Sequence, residues 1–479
     1  MRQMGGQDAS FVYNEAPRMP MHIAGLAIYD PSTANGTVTF KGILDHIRAR
    51  MPLVPTYYER MVRVPFDYDH PWWIVDPEFD LEFHVRHIAL PQPGDWRQLC
   101  IQAARLHARE LDLDRPLWEM YVIEGLNHVE GVPPGSFAVL TKTHHAAIDG
   151  VSGVELVSII NDLEPDAAPP SGPEPPAPDR LPNPYELMVR AGINNAMQTQ
   201  RFVEFMQRAT PPMPTLPTAG PQPTSAPRTR FSGTVTSHRV IENRSFDLGE
   251  VRRIKSAVNG ATINDAVLAV VAGALRRYLE SKNELPSDPL VVMAPISIRS
   301  EDEKGALGNR VSGMTLPIPT NEADPLERLR IVQTTTQAAK ETANAVPAKT
   351  LADFNQFVPW AQMGLAARTA ASLKLADTVA PAINTVVTNV PGPQVPLYMA
   401  GAKLLKQFGM GPVTDGMGIM HPVLSYNGEI AISVTACREM LPDPAFYAEC
   451  IQSSFDELKE ATAPEAPPPS RARRRSARS

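Results

Sequence analysis

With 479 residues, 43% of them apolar, the chain is long enough for two domains with cores of their own, and three are possible. Its net charge of −7 conceals a basic end: RARRRSARS closes the chain with five arginines, so the remainder carries −12, which excludes a nucleic-acid partner for the body. The three cysteines, Cys100, Cys437 and Cys450, are scattered and odd in number, which excludes a disulfide framework and a CxxC zinc site and fits a reducing cytoplasm.

No apolar run reaches the roughly 18 residues that a membrane-spanning helix needs. The best candidate, AVLAVVAGAL from Ala266, stops at Arg276 and Arg277 and reads as a buried helix. The opening MRQMGGQDASF lacks the charged start and apolar centre of a secretory signal.

In chain order, GSFAVLTKT (Gly135 to Thr143) predicts a strand that runs straight into THHAAIDG. GVSGVELVSIINDL (Gly150 to Leu163) predicts a helix with Val154, Val157 and Ile160 on its apolar side. Pro165 to Pro184 (PDAAPPSGPEPPAPDRLPNP) must be extended, because proline lacks an N–H and fixes φ. YELMVRAGINNAMQTQRFVEFMQR (Tyr185 to Arg208) has helical periodicity, and a second proline run follows from Pro211 to Pro227. TINDAVLAVVAGALRRYL predicts a buried helix starting near Asn264, and PLVVMAPISIR, INTVVTNVPGP and GEIAISVTACR predict strands. The expected layout is a first domain over 1–164, a proline-rich connector with one helix over 165–230, a second domain over 231–460 and a disordered basic tail over 461–479. The tail either stays solvated or touches anionic lipid head groups.

His144 and His145 are adjacent, and neighbours on an extended backbone point to opposite faces, so they do not share one metal ion. HExxH is absent as well, and no metal is expected. Two readings stay open. In one, the histidines merely pack, with Asp149 capping a helix and Gly150 serving a tight turn. In the other, one histidine is a general base, for which a neutral imidazole near pH 7 is suited. No GxSxG elbow supplies a serine nucleophile, so such a base would act on a substrate hydroxyl directly.

HHAAIDG fits HHxxxDG, the signature of the coenzyme A-dependent acyltransferase superfamily. Further segments narrow the resemblance: DASFVYNEAPRMPMHIAGLAIYD, HPWWIVDPEFDLEFHVRHIALPQPG, LDRPLWEMYVIEGL, LGNRVSGMTLPIPT, TNVPGPQVPLYMAGAKL and SYNGEIAISV. Over about residues 7 to 458 the chain resembles the bacterial wax ester synthase/diacylglycerol acyltransferase family. The resemblance implies an α/β (α+β) fold of two chloramphenicol acetyltransferase-like domains, each a mixed sheet flanked by helices, with a tunnel between them. It implies transfer of a long-chain acyl group from acyl-CoA to diacylglycerol or a long-chain alcohol, with no prosthetic group. A cytoplasmic protein attached peripherally to a membrane or lipid droplet would fit insoluble acceptors. Two other readings remain open: a related acyltransferase for another hydroxyl or amine acceptor, and a non-catalytic droplet-binding paralogue.

The same resemblance suggests roles. His145 would be the general base and His144 its support, with Asp149 scaffolding the loop through an ion pair to Arg299. Asn264 and Asp265, the ND segment, either cap a helix or serve the oxyanion, and Asn309 and Ser312 are further candidates to line the site. Pro116, Leu117 and Trp118 either pack in the core or form a tunnel wall.

Overall fold

A computed structural model describes residues 1–150, 157, 159–208, 225–297, 311–344 and 360–463. The first half runs β1 (Arg2–Gln3), α1 (Gly6–Asn14), β2 (His22–Asp30), α2 (Phe40–Arg50), β3 (Glu59–Val62), β4 (Trp72–Val75), α3 (Leu81–His84), β5 (Val85–Ala89), α4 (Trp96–His107), β6 (Trp118–Glu124) and β7 (Phe137–His144). A connecting helix, α5 (Pro184–Arg208), leads to β8 (Arg239–Asp247), α6 (Leu248–Ser256), α7 (Ile263–Ser281), β9 (Leu290–Ser297), β10 (Val311–Ile318), α8 (Pro325–Asn344) and α9 (Trp360–Ser372). The chain then closes with β11 (Thr385–Pro391), β12 (Tyr398–Met399), β13 (Ala402–Met410), β14 (Ile419–Tyr426), β15 (Glu429–Cys437) and α10 (Pro444–Ala461).

Two six-stranded mixed sheets carry the fold, in the orders β12-β13-β2-β7-β6-β5 and β10-β9-β11-β14-β15-β8, beside a small β1-β4-β3 sheet. The halves are not independent in the chain. β12 and β13, from late in the sequence, complete the first sheet by pairing β13 antiparallel to β2. Where β13 passes β14 of the other sheet, Gly409 lets the backbones close: a Cβ there would sit 2.8 Å from Pro422.

The apolar pattern explains the layers. Along β7, Phe137 and Val139 enter one core with Ile43 and Ile47 of α2, while Ala138 and Leu140 enter another with Leu99 and Ala103 of α4. α7 is apolar on nearly every side from Ala266 to Leu275, and it is buried accordingly, against the second sheet and α6, α8 and α10. Its start is a capping box: Thr262 accepts from the Asp265 N–H, and Asp265 accepts from the Thr262 N–H at 2.7 Å.

The expected elements are found close to where they were placed. The first strand continues one residue further, to His144, and the buried helix begins at Ile263. The connector helix spans Pro184–Arg208, with no helix or strand in the proline stretch before it. Most of the helix expected after Gly150, the greater part of the second proline run and the arginine tail lie outside the described residues.

Candidate active site

β7 delivers the two histidines to a single 3-10 turn, His145–Gly150, and the flanking strands clamp it from both sides. The His144 N–H donates to the Leu117 carbonyl beside β6, and the His145 N–H donates to the Met21 carbonyl just before β2, each at 2.9 Å. The strand period turns His144 to the α4 side, where it is fully buried opposite His22 of β2. Its Nδ1 accepts the Ala146 N–H at 3.1 Å, which assigns the ring proton to Nε2. That Nε2 lies 3.5 Å from the Glu15 carboxylate, whose other oxygen accepts the Met21 N–H at 3.1 Å.

His145 leaves the strand on the other side. Its ring stacks on Phe11 of α1, with centroids 4.1 Å apart and planes 10° from parallel. Nδ1 is sealed from solvent, and no other described residue offers it a hydrogen bond. Burial pushes the imidazole pKa down to about 4; the neighbouring His144 pushes the same way, and a contact with the backbone of His145 itself pushes back. The ring is therefore neutral at physiological pH.

Behind the turn lies a buried polar stack. His22 Nε2 meets the His107 carbonyl at 2.7 Å, His107 Nε2 meets the Gly411 carbonyl at 3.1 Å, and the two rings touch edge to face. Lys142, also fully buried, donates to the Arg109 carbonyl at 2.7 Å and faces Glu119 at 3.4 Å. Burial holds the His22 pKa well below the usual value, with help from His107 and Lys142. It holds His107 down to about 3. These groups support the strand ends.

Residues 4–267 match the family model for the wax ester synthase/diacylglycerol acyltransferase catalytic domain, and residues 307–459 match that for the WS/DGAT C-terminal domain. The chain belongs to the wax ester synthase/diacylglycerol acyltransferase family. It is an acyltransferase of the kind that makes triacylglycerol or wax ester. It is 33% identical over 459 residues to the O-acyltransferase WSD of Acinetobacter baylyi, covering 92% of this chain and 93% of that one. It is 32% identical over 468 residues to a Mycobacterium tuberculosis protein named for diacylglycerol O-acyltransferase activity, covering 96% and 91% of the two chains. The solved wax ester synthase/diacylglycerol acyltransferase from Marinobacter aquaeolei VT8 superposes with a TM-score of 0.68 at 24% identity, over 96% of this chain and 100% of that one. The first condensation domain of the calcium-dependent antibiotic synthetase gives 0.54 at 14% identity, over 98% of each. The likeness to both structures gives the fold: two domains of the chloramphenicol acetyltransferase type.

In this acyltransferase the segments singled out from the sequence fall in different places. Pro116, Leu117 and Trp118 are buried; Leu117 packs with Ala146 of the histidine turn, and Trp118 lies against Tyr57 and His84 and donates Nε1–H to the Tyr57 carbonyl at 3.0 Å. Asp265 spends one carboxylate oxygen on the α7 cap and the other on the Thr336 hydroxyl at 2.6 Å. Asn264 sits beside it on the first turn, and its side chain makes no hydrogen bond among the described residues. The Asp149 side chain, Arg299 and Asn309 lie outside the described residues; of Ser312 only the backbone is described, paired with Ile296 across β10 and β9. Phe11 and Glu15 were not foreseen. Phe11 lies within α1 and Glu15 is the extended residue that ends it, so no helical spacing links the two and the sequence carries no local signal for their roles.

Proposed function

We propose that His145 is the general base that passes a long-chain acyl group from acyl-CoA to the hydroxyl of diacylglycerol or a long-chain alcohol. The observation that carries this is the state of its ring: neutral, braced on Phe11 and fixed by a backbone bond to Met21. Nδ1 is sealed in, which leaves Nε2 to meet the substrate. Nε2 takes the acceptor's hydroxyl proton as that oxygen bonds to the thioester carbonyl carbon. The tetrahedral oxyanion then collapses, the C–S bond breaks and the CoA thiolate takes the proton back from His145. An imidazolium with a pKa of about 4 gives its proton readily to an alkyl thiolate, which is a far stronger base. As a base it is weak, so proton removal has to be concerted with attack. Asn264, whose amide the α7 cap leaves free, is the proposed donor to the oxyanion. No metal or prosthetic group enters the scheme.

We also propose that the enzyme works while attached peripherally to a membrane or lipid-droplet surface. No helix among the described residues is long and apolar enough to cross a membrane. α5, however, is apolar on two sides. Leu187 and Ala191 are buried against the body, while Tyr185, Val189, Ile193 and Met197 form an exposed stripe at four-residue spacing. The helix packs against the Pro65–Asp67 turn, where Phe66 stands 96% exposed with φ at +61°. An open apolar helix face beside a fully exposed aromatic is the surface a lipid interface would cover.

The test is CoA release from palmitoyl-CoA with dioleoylglycerol or hexadecanol as acceptor. Acceptor-dependent release should fall about 10²–10⁴-fold in His145→Ala. Equal release by the variant would remove His145 from the mechanism.

A further inference from the structure

We propose that Phe11 is a positioning residue for the acyl transfer: its ring is the platform that holds the His145 imidazole in its reacting plane. The inference rests on His145 being the base. The lone pair that takes the proton lies in the plane of the imidazole, so a partner on one face fixes that plane without blocking Nε2. The stack is near parallel, at 4.1 Å and 10°. It supplies what no other side chain does, since among the described residues the only hydrogen-bond contact of the ring nitrogens is with the backbone of His145 itself.

Phe11 does not belong to the packed side of its helix. Ala9, Val12 and Tyr13 are the α1 residues that enter the small core with Leu117 and Ala146, whereas Phe11 is only half-buried. The platform is nevertheless held firmly. α9, from the second half of the chain, lies so close that a Cβ on Gly364 would meet the Tyr13 carbonyl oxygen at 2.7 Å, and Arg368 donates to that same oxygen. At the end of α1, Glu15 is tied to the Met21 N–H at 3.1 Å, and the Met21 carbonyl accepts from His145 at 2.9 Å. Helix, platform and base thus form one closed circuit. It spans both halves of the chain.

The experiment compares Phe11→Leu and Phe11→Tyr with wild type in the full-length enzyme, using palmitoyl-CoA with whichever acceptor supports release. Leucine keeps apolar bulk but not the flat face; tyrosine keeps both. Phe11→Leu should lower kcat about 10–100-fold, with KM for palmitoyl-CoA within about twofold, and Phe11→Tyr should recover most of the loss. The acid limb of kcat/KM should also move to higher pH in Phe11→Leu, because water reaches the uncovered ring. Thermal unfolding identifies a variant that has merely lost its fold. A Phe11→Leu enzyme within about twofold of wild type in kcat would overturn the platform, as would damage confined to KM. His145→Ala run in parallel separates the two ideas. If it keeps acceptor-dependent release, the base assignment falls; if it is inactive while Phe11→Leu is unimpaired, only the platform falls.

Discussion

Glu15 and His144 face each other at 3.5 Å, carboxylate Oε2 to imidazole Nε2, at the point where the N-terminal segment crosses the end of β7. The other Glu15 oxygen accepts the Met21 N–H at 3.1 Å, so one side chain braces both the histidine turn and the strand beside it. Replacing it separates these duties. Glu15→Ala leaves the Met21 N–H without its acceptor, and a loss of about 1–3 kcal/mol in unfolding free energy is expected. Glu15→Gln keeps an oxygen acceptor and should recover most of that stability, while removing the charge that faces His144. Its kcat should still fall several-fold. Urea unfolding and CoA release on the two variants decide the matter, and a Gln enzyme equal to wild type in rate would show that the charge is not used.

Stability should fall as the solution is made mildly acidic, well before most carboxylates titrate. Burial holds both His107 and His421 to about 3 in the folded protein, against about 6.5 for an unfolded chain. Between those values the unfolded state binds more protons than the folded one, so stability rises with pH across that window and is lost as pH drops below about 6.5. At pH 5.5 each such histidine costs about 1.4 kcal/mol. His421 is locked between Thr385 and Tyr447, at 3.0 and 2.7 Å, and cannot turn to water to relieve the cost. Urea midpoints at neutral pH and at pH 5.5 measure the effect. Superimposable curves would mean that the buried histidines gain water or partners on protonation.

What the sequence disclosed follows from how local each signal is. The strand into THHAAIDG and the all-apolar helix at Ala266 are written in runs of under twenty residues, and both form where the pattern puts them. The opposite fates of His144 and His145 follow from strand period alone. β12 and β13 could not be foreseen as members of the first sheet, because pairing with β2 depends on contacts across more than 350 positions of chain. For the same reason Phe11 reads as one more apolar residue of α1 until the turn that it covers is in place. In the ND segment the sequence left two uses open for Asp265; Thr336, seventy-one positions away, takes the carboxylate oxygen that the cap does not.

The exposed stripe of α5 offers the last test. Tyr185 is 78% and Ile193 56% exposed, so neither contributes much to the core, and replacing both with serine should leave the melting temperature unchanged. If a lipid surface covers the stripe, the double variant gives up the burial of two large apolar side chains. Each is worth about 1.5–3 kcal/mol when fully buried, so binding should weaken at least tenfold even at partial depth. Flotation with phosphatidylcholine vesicles containing dioleoylglycerol reads this directly. Binding should also survive added salt, because the contact is apolar. Undiminished flotation of the variant would take the attachment away from α5, and binding abolished by salt would move it to the arginines of the tail.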